Sequence, residues 1–89
     1  MLNQQITIIN KLGLHTRAAA KLVAMAAKFE SKIEITRNDH KIDAKSIMGV
    51  MMLAAGLGAE VEVEIEGEDE REAMDGLAAL INDKFGEGQ

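Results

Sequence analysis

Between Glu60 and Glu66 the chain reads Glu-Val-Glu-Val-Glu-Ile-Glu, an unbroken alternation of acids with branched aliphatic residues. Successive side chains of a strand point to opposite faces. Val61, Val63 and Ile65 therefore share one face, and the four glutamates share the other. A helix cannot use this pattern, because a 3.6-residue period would scatter the aliphatic residues around its axis. One sheet face must then be wet and the other covered. That describes an antiparallel sheet with helices packed on a single side. The 89 residues make one domain, 1–89, with room for one modest core.

The remaining segments complete the pattern. Gln4 to Ile9 mixes polar and β-branched residues and predicts a first strand, followed by a turn at Asn10-Lys11-Leu12-Gly13. From Thr16 the period becomes helical. Ala19, Leu22, Val23, Ala26 and Phe29 share a face, Lys21 and Lys28 point away, and His15 or Thr16 is the N-cap. Lys32 to Arg37 alternates again, and Asn38-Asp39-His40 turns the chain into a short strand at Lys41–Ala44. Ser46 then caps an apolar helix, Ile47 to Ala55, closed by Gly56. After the Glu60–Glu66 strand, Glu68-Asp69-Glu70 opens a last helix. It carries Ala73, Met74, Leu77, Ile81 and Phe85 inward, with Lys84 near its end and Gly86 as its stop. The order is β-α-β-β-α-β-α. The fold class is α+β: a four-stranded antiparallel sheet with three helices on one face.

Composition narrows the function. Cysteine is absent, which removes disulfides and thiolate metal sites and suits a reducing cytoplasm. The start of the chain lacks the pattern of a signal peptide, and no apolar run reaches the length of a membrane span. A net charge of -5 argues against nucleic acid as a partner. With no tyrosine or tryptophan, bases have no stacking platform. The charge is divided unevenly: residues 1–50 carry +4 and residues 51–89 carry -9. An electropositive first half suits an anionic group or an acidic partner. Alternation on a strand and the start of a helix account for the acids between Glu60 and Glu70. No metal site is expected there, and none elsewhere.

His15 is the candidate for chemistry. A lone histidine is ordinarily a surface or capping residue, and His40, in a turn, is read that way. His15 differs in its setting, Gly13-Leu14-His15-Thr16-Arg17, where a turn opens a helix. Free N–H groups and the positive end of the helix dipole gather at such a point and favour an anion. Arg17 can fork onto phosphate oxygens, and Thr16 can donate a hydroxyl hydrogen bond. Neutral imidazole is a nucleophile near neutral pH and forms covalent intermediates. These residues suit a phosphate relay.

Two stretches, Asn10-Lys11-Leu12-Gly13-Leu14-His15-Thr16-Arg17 and Lys45-Ser46-Ile47-Met48-Gly49-Val50-Met51, strongly resemble the HPr family. These are the histidine-containing phosphocarriers of the bacterial sugar phosphotransferase system. The resemblance extends over nearly the whole chain, including its length and element order. It implies an open-faced β-sandwich. It also implies that His15 accepts phosphate from phospho-enzyme I through Nδ1, as a pros-phosphohistidine, and donates it to enzyme IIA domains. Arg17 would steady the phosphate, and Ser46 would be the regulatory site of HPr kinase/phosphorylase where that kinase exists. No cofactor is implied, and the carrier would act as a cytoplasmic monomer that is a substrate of the relay more than an enzyme.

One departure stands out. Ala18 replaces a proline common in the family, leaving the helix turn sound but the His15 loop slightly looser. It leans toward NPr, the nitrogen-related paralogue, and leaves both systems open. The second helix is apolar all round. The resemblance directs Val50 and Leu53 to the core and leaves Ile47, Met48 and Met51 near His15, where adaptable methionines meet several partners. A reading from another class is a regulatory binding module, in which phosphorylation only switches affinity and no phosphate is passed on.

Overall fold

A computed structural model describes residues 1–89. The elements are β1 (Leu2–Thr7), α1 (Thr16–Ala26), β2 (Lys32–Arg37), β3 (His40–Asp43), α2 (Ile47–Met52), β4 (Glu60–Glu66) and α3 (Glu70–Asn82), with one 3-10 turn at Lys84–Gly86. The strands form one antiparallel sheet in the order β1-β4-β2-β3. The alternating strand β4 lies inside the sheet, with Ile65 opposite Leu2 on one side and Ile33 on the other. Val61, Val63 and Ile65 are buried with Ile6, Ile33 and Ile35. The helices cover that face with Ala18, Ala19, Leu22 and Ala26 from α1 and Ala73, Met74, Leu77 and Ile81 from α3. Each large aliphatic side chain removed from water contributes about 1.5–3 kcal/mol, and together they hold this two-layer fold.

The open face is ionic. Glu34 and Glu64 sit directly opposite each other across β2 and β4, a repulsive pairing. Lys41 answers it with a 3.2 Å contact to Glu64, whose hydrogen bond and charge raise the Lys41 pKa. Lys41 is exposed and Glu64 half-buried, so the pair is largely screened and relieves repulsion more than it adds stability.

Strand limits differ from the composition signal because a partner sets them. β1 runs Leu2–Thr7 instead of Gln4–Ile9, since β4 begins at Glu60, opposite Thr7. Beyond it Ile8 stays buried, donating to the Ala59 carbonyl at 2.8 Å, but the chain has left the ladder. β3 starts at His40, one residue early. Asn38 and Asp39 both have positive φ and form a two-residue hairpin turn, which pairs His40 with Arg37.

The helices differ at their ends. Phe29 lies past the end of α1 and is only half-buried. α2 stops at Met52, short of Ala55, and Gly56 does not close it. Leu53 and Ala54 turn the chain out, Ala54 in the left-handed region at φ 50°. Tertiary bonds claim the backbone there: Arg37 Nη1 donates to the Leu53 carbonyl at 3.0 Å, and Leu14 N–H donates to the Ala55 carbonyl at 2.8 Å. α3 starts at Glu70 and has no basic residue in its last turn, because Lys84 lies beyond it. Phe85 is buried as expected, but it reaches the core through a break where Lys84 and Phe85 both have positive φ.

Asp69, the cap of α3, spends its carboxylate across the fold. It accepts from Glu30 N–H at 2.8 Å, from Ser31 N–H at 3.0 Å and from the Ser31 hydroxyl. These bonds, the Ser31 hydroxyl first, lower its pKa. A lowered folded-state pKa gives stability that is full above the unfolded value of about 3.9 and is lost as pH falls through the folded value. Asp69→Asn should therefore lower the urea midpoint at pH 7. It should also shrink the parent's loss of stability between pH 5 and pH 2, as read by urea melts across that range.

Candidate functional site

The turn before α1 is built to hold His15 at a helix start. Gly13 has φ 66°, and a Cβ there would lie 2.5 Å from the Ala55 carbonyl oxygen and 2.6 Å from Gly56 Cα, so no larger residue fits. Buried Asn10 ties the turn together, donating from Nδ2 to the Gly13 carbonyl at 2.8 Å. His15 is the N-cap residue, with extended φ and ψ, and its carbonyl accepts from Ala19 N–H at 2.8 Å. Its imidazole makes no cap bond. The first N–H groups of α1 have no intrahelical partner, as at any helix start, and His15 is the residue at that start. The helix runs through Ala18, which is wholly buried.

An open cleft of about 400 Å³ surrounds the ring. Its walls carry Lys11 from the turn, Arg17 and Lys21 from α1, and Glu87. Three cations and one acid line it, so the site suits an anion with more than one negative charge. Arg17 is exposed and makes no hydrogen bond within the protein, which leaves its donors available. The imidazole keeps 29% of its surface, and its Nε2 meets Glu87 Oε2 directly.

Thr16 is exposed at the first position of α1. Ser46 caps α2, its hydroxyl oxygen accepting from Gly49 N–H at 3.1 Å. α2 packs against α1, with Val50 and Leu53 buried and Ile47, Met48 and Met51 exposed. Met52 is also 71% exposed, so the uncovered apolar surface is larger than the three residues named from sequence. His40 is exposed on β3, at the sheet edge.

Two of the residues around His15 carried no sequence signal. Lys21, read as pointing into solvent, donates from Nζ to the Phe85 carbonyl at 2.6 Å and so holds the segment after α3 against α1. Glu87 lies 72 residues from His15, between two glycines and outside any periodic pattern.

A family model described as the PTS HPr component phosphorylation site matches residues 2–83. The chain belongs to the HPr family. The phosphocarrier protein HPr of Cupriavidus necator is 60% identical over 89 residues, the full length of both chains. The crystal structure of HPr from Thermoanaerobacter tengcongensis is 47% identical, covers 98% of each chain and superposes with a TM-score of 0.95. A dimeric form of the same protein gives 0.79. The phosphocarrier protein NPr of Shewanella violacea is 42% identical, covering 97% of this chain and 94% of that one. In a phosphocarrier of the HPr family, a cationic cleft around an accessible histidine is a site of the right charge and reach for a phosphoryl group.

Proposed function

We propose that His15 accepts a phosphoryl group from phospho-enzyme I and passes it to enzyme IIA domains of the phosphoenolpyruvate-dependent phosphotransferase system. The observation that supports this reading most strongly is the position of His15. It is half-exposed beside the free N–H groups of α1 and faces a cleft lined by Lys11, Arg17 and Lys21. Arg17 steadies the phosphate, and Thr16 with the Ile47, Met48 and Met51 surface meets the partners. The cleft is open and offers no enclosure for a small substrate, which suits a cytoplasmic carrier monomer that meets other proteins. The higher identity to an HPr than to an NPr supports the sugar-type system. Incubation with phosphoenolpyruvate and the matching enzyme I, followed by intact mass, tests the reading. One added phosphate supports it, and an unchanged mass contradicts it.

The apolar surface is the docking face in this reading. Met48 is 71% exposed, so Met48→Asp should leave the melting temperature almost unchanged. A charge in that face should weaken enzyme I binding by about tenfold or more, on the order of 1–2 kcal/mol. Titration calorimetry beside a thermal melt separates the two effects. An unfolded variant would make the patch part of the core.

Ser46 regulates through the same face. A phosphoserine adds about -1.5 to -2 charges at pH 7 and a strongly hydrated group beside Ile47 and Met48. Both oppose docking of an acidic partner. Ser46→Asp should need much more protein for the same rate of His15 phosphorylation. Ser46→Ala should transfer normally while losing about 0.5–2 kcal/mol from the missing cap. Equal concentration dependence for parent and Ser46→Asp would reduce Ser46 to a cap.

A further inference from the structure

The segment after α3 folds back over the start of α1 and is fixed at several points. Phe85 is buried, its carbonyl accepts from Lys21 Nζ at 2.6 Å, and Lys11 N–H donates to the Gln89 carbonyl at 3.1 Å. Gly86 and Gly88, both at φ 75°, let the chain wrap tightly on either side of Glu87. The Glu87 side chain retains only 16% of its surface. Its Oε1 accepts from Nδ2 of the wholly buried Asn10 at 3.0 Å, and its Oε2 meets His15 Nε2. Phe85 to Gln89 lie beyond the span matched by the family model, which ends at residue 83, whereas Asn10 and His15 lie within it.

We propose that Glu87 is a positioning residue for His15: its carboxylate, aimed by Asn10, holds the imidazole proton on Nε2 and leaves Nδ1 as the nucleophile. This rests on the phosphoryl-acceptor reading above. The Asn10 bond and then the His15 contact lower the Glu87 pKa, so the group is ionised at neutral pH. An ionised carboxylate only accepts hydrogen bonds, so Nε2 must donate. A neutral imidazole carries one hydrogen, and Nδ1 then keeps its lone pair.

The transfer step balances on these groups. The Nδ1 lone pair forms the bond to phosphorus, and the donor's bond to phosphorus breaks with its electron pair returning to the donor atom. No proton moves. The His15 ring becomes positively charged with its proton still on Nε2, against a carboxylate already in place. A fixed charge aimed where charge develops favours the transition state without reorganisation. The other charged side chains lining the cleft are Lys11 from the turn and Arg17 and Lys21 from α1, all cations, with the uncharged Leu12 and Gln89 beside them. Without Glu87 the imidazolium would face only like charge.

The test uses the whole chain and its Glu87→Gln variant, which keeps size and a hydrogen-bond acceptor. Nitrogen-15 NMR of the imidazoles gives the His15 tautomer and pKa, with exposed His40 as internal reference. Phosphate acceptance from phosphoenolpyruvate and enzyme I is followed across pH. In the parent, neutral His15 should carry its hydrogen on Nε2. In the variant the preference for the hydrogen on Nε2 should weaken, the pH profile of acceptance should move, and the plateau rate should drop about tenfold. Identical titrations and rates in both proteins, or a parent with its hydrogen on Nδ1, would overturn the proposal. A parent that accepts no phosphate would overturn the carrier reading instead, and the tautomer and titration would still decide the role of Glu87.

Discussion

His15→Ala should accept no phosphate at all from phosphoenolpyruvate and enzyme I, whereas the parent gains one group that is labile to acid and stable to base. No other side chain in the cleft can replace it. Lys11, Arg17 and Lys21 are cations without a free lone pair at neutral pH, and Glu87 is engaged by Asn10. His40 stands on β3, on the edge strand of the sheet, so His40→Ala should label like the parent. The His15 variant should still fold. The imidazole caps no N–H group of α1, and the packing of Leu14, Ala18 and Ala19 does not depend on it. Intact mass and a thermal melt on the same samples check both statements. A folded variant that labels normally would remove His15 from the chemistry.

Arg17→Glu should slow phosphate acceptance by one to two decades without unfolding the domain. Arg17 is exposed, on the first turn of α1 next to His15, and makes no internal hydrogen bond, so its donors are free for an incoming group. A charge-assisted hydrogen bond contributes about 1.5–3 kcal/mol. At about 1.4 kcal/mol per tenfold in rate, that energy sets the expected range. Reversing the charge also brings a second acid into a cleft that holds one already. Stability should change little, because an exposed charge contributes little to it. Rapid-quench kinetics at several concentrations measure the effect. Parent-like kinetics would show that the guanidinium does not reach the phosphate.

The legible parts of this fold are those governed by local chemistry. Glu60–Glu66 announces itself because its outer face meets only water, so every second residue is free to be an acid. Ser46 and the Asn38-Asp39 hairpin are legible because a cap and a positive-φ turn each need particular side chains. Ends set by tertiary partners are not. Nothing in Leu53-Ala54-Ala55 foretells that Arg37 and Leu14 will take its carbonyls and stop α2 early. Phe85 was legible as a core residue by its apolarity, but not the pair of positive-φ residues that delivers it. The site divides in the same way. His15, Thr16 and Arg17 are neighbours in sequence and declare themselves together. Glu87 reaches the same ring from 72 residues away, through an asparagine whose burial no composition reveals.

A phosphocarrier both takes up a phosphate and passes it on. The most direct measurement takes the phosphorylated protein, freed of enzyme I and phosphoenolpyruvate, and mixes it with an enzyme IIA domain. Intact masses of both proteins are then followed in time. As a carrier, this chain should lose one phosphate as the acceptor gains one, with the sum constant. A phosphate that stays on this chain, or leaves it only as inorganic phosphate, would contradict a carrier role and favour a switch that binds partners without supplying them.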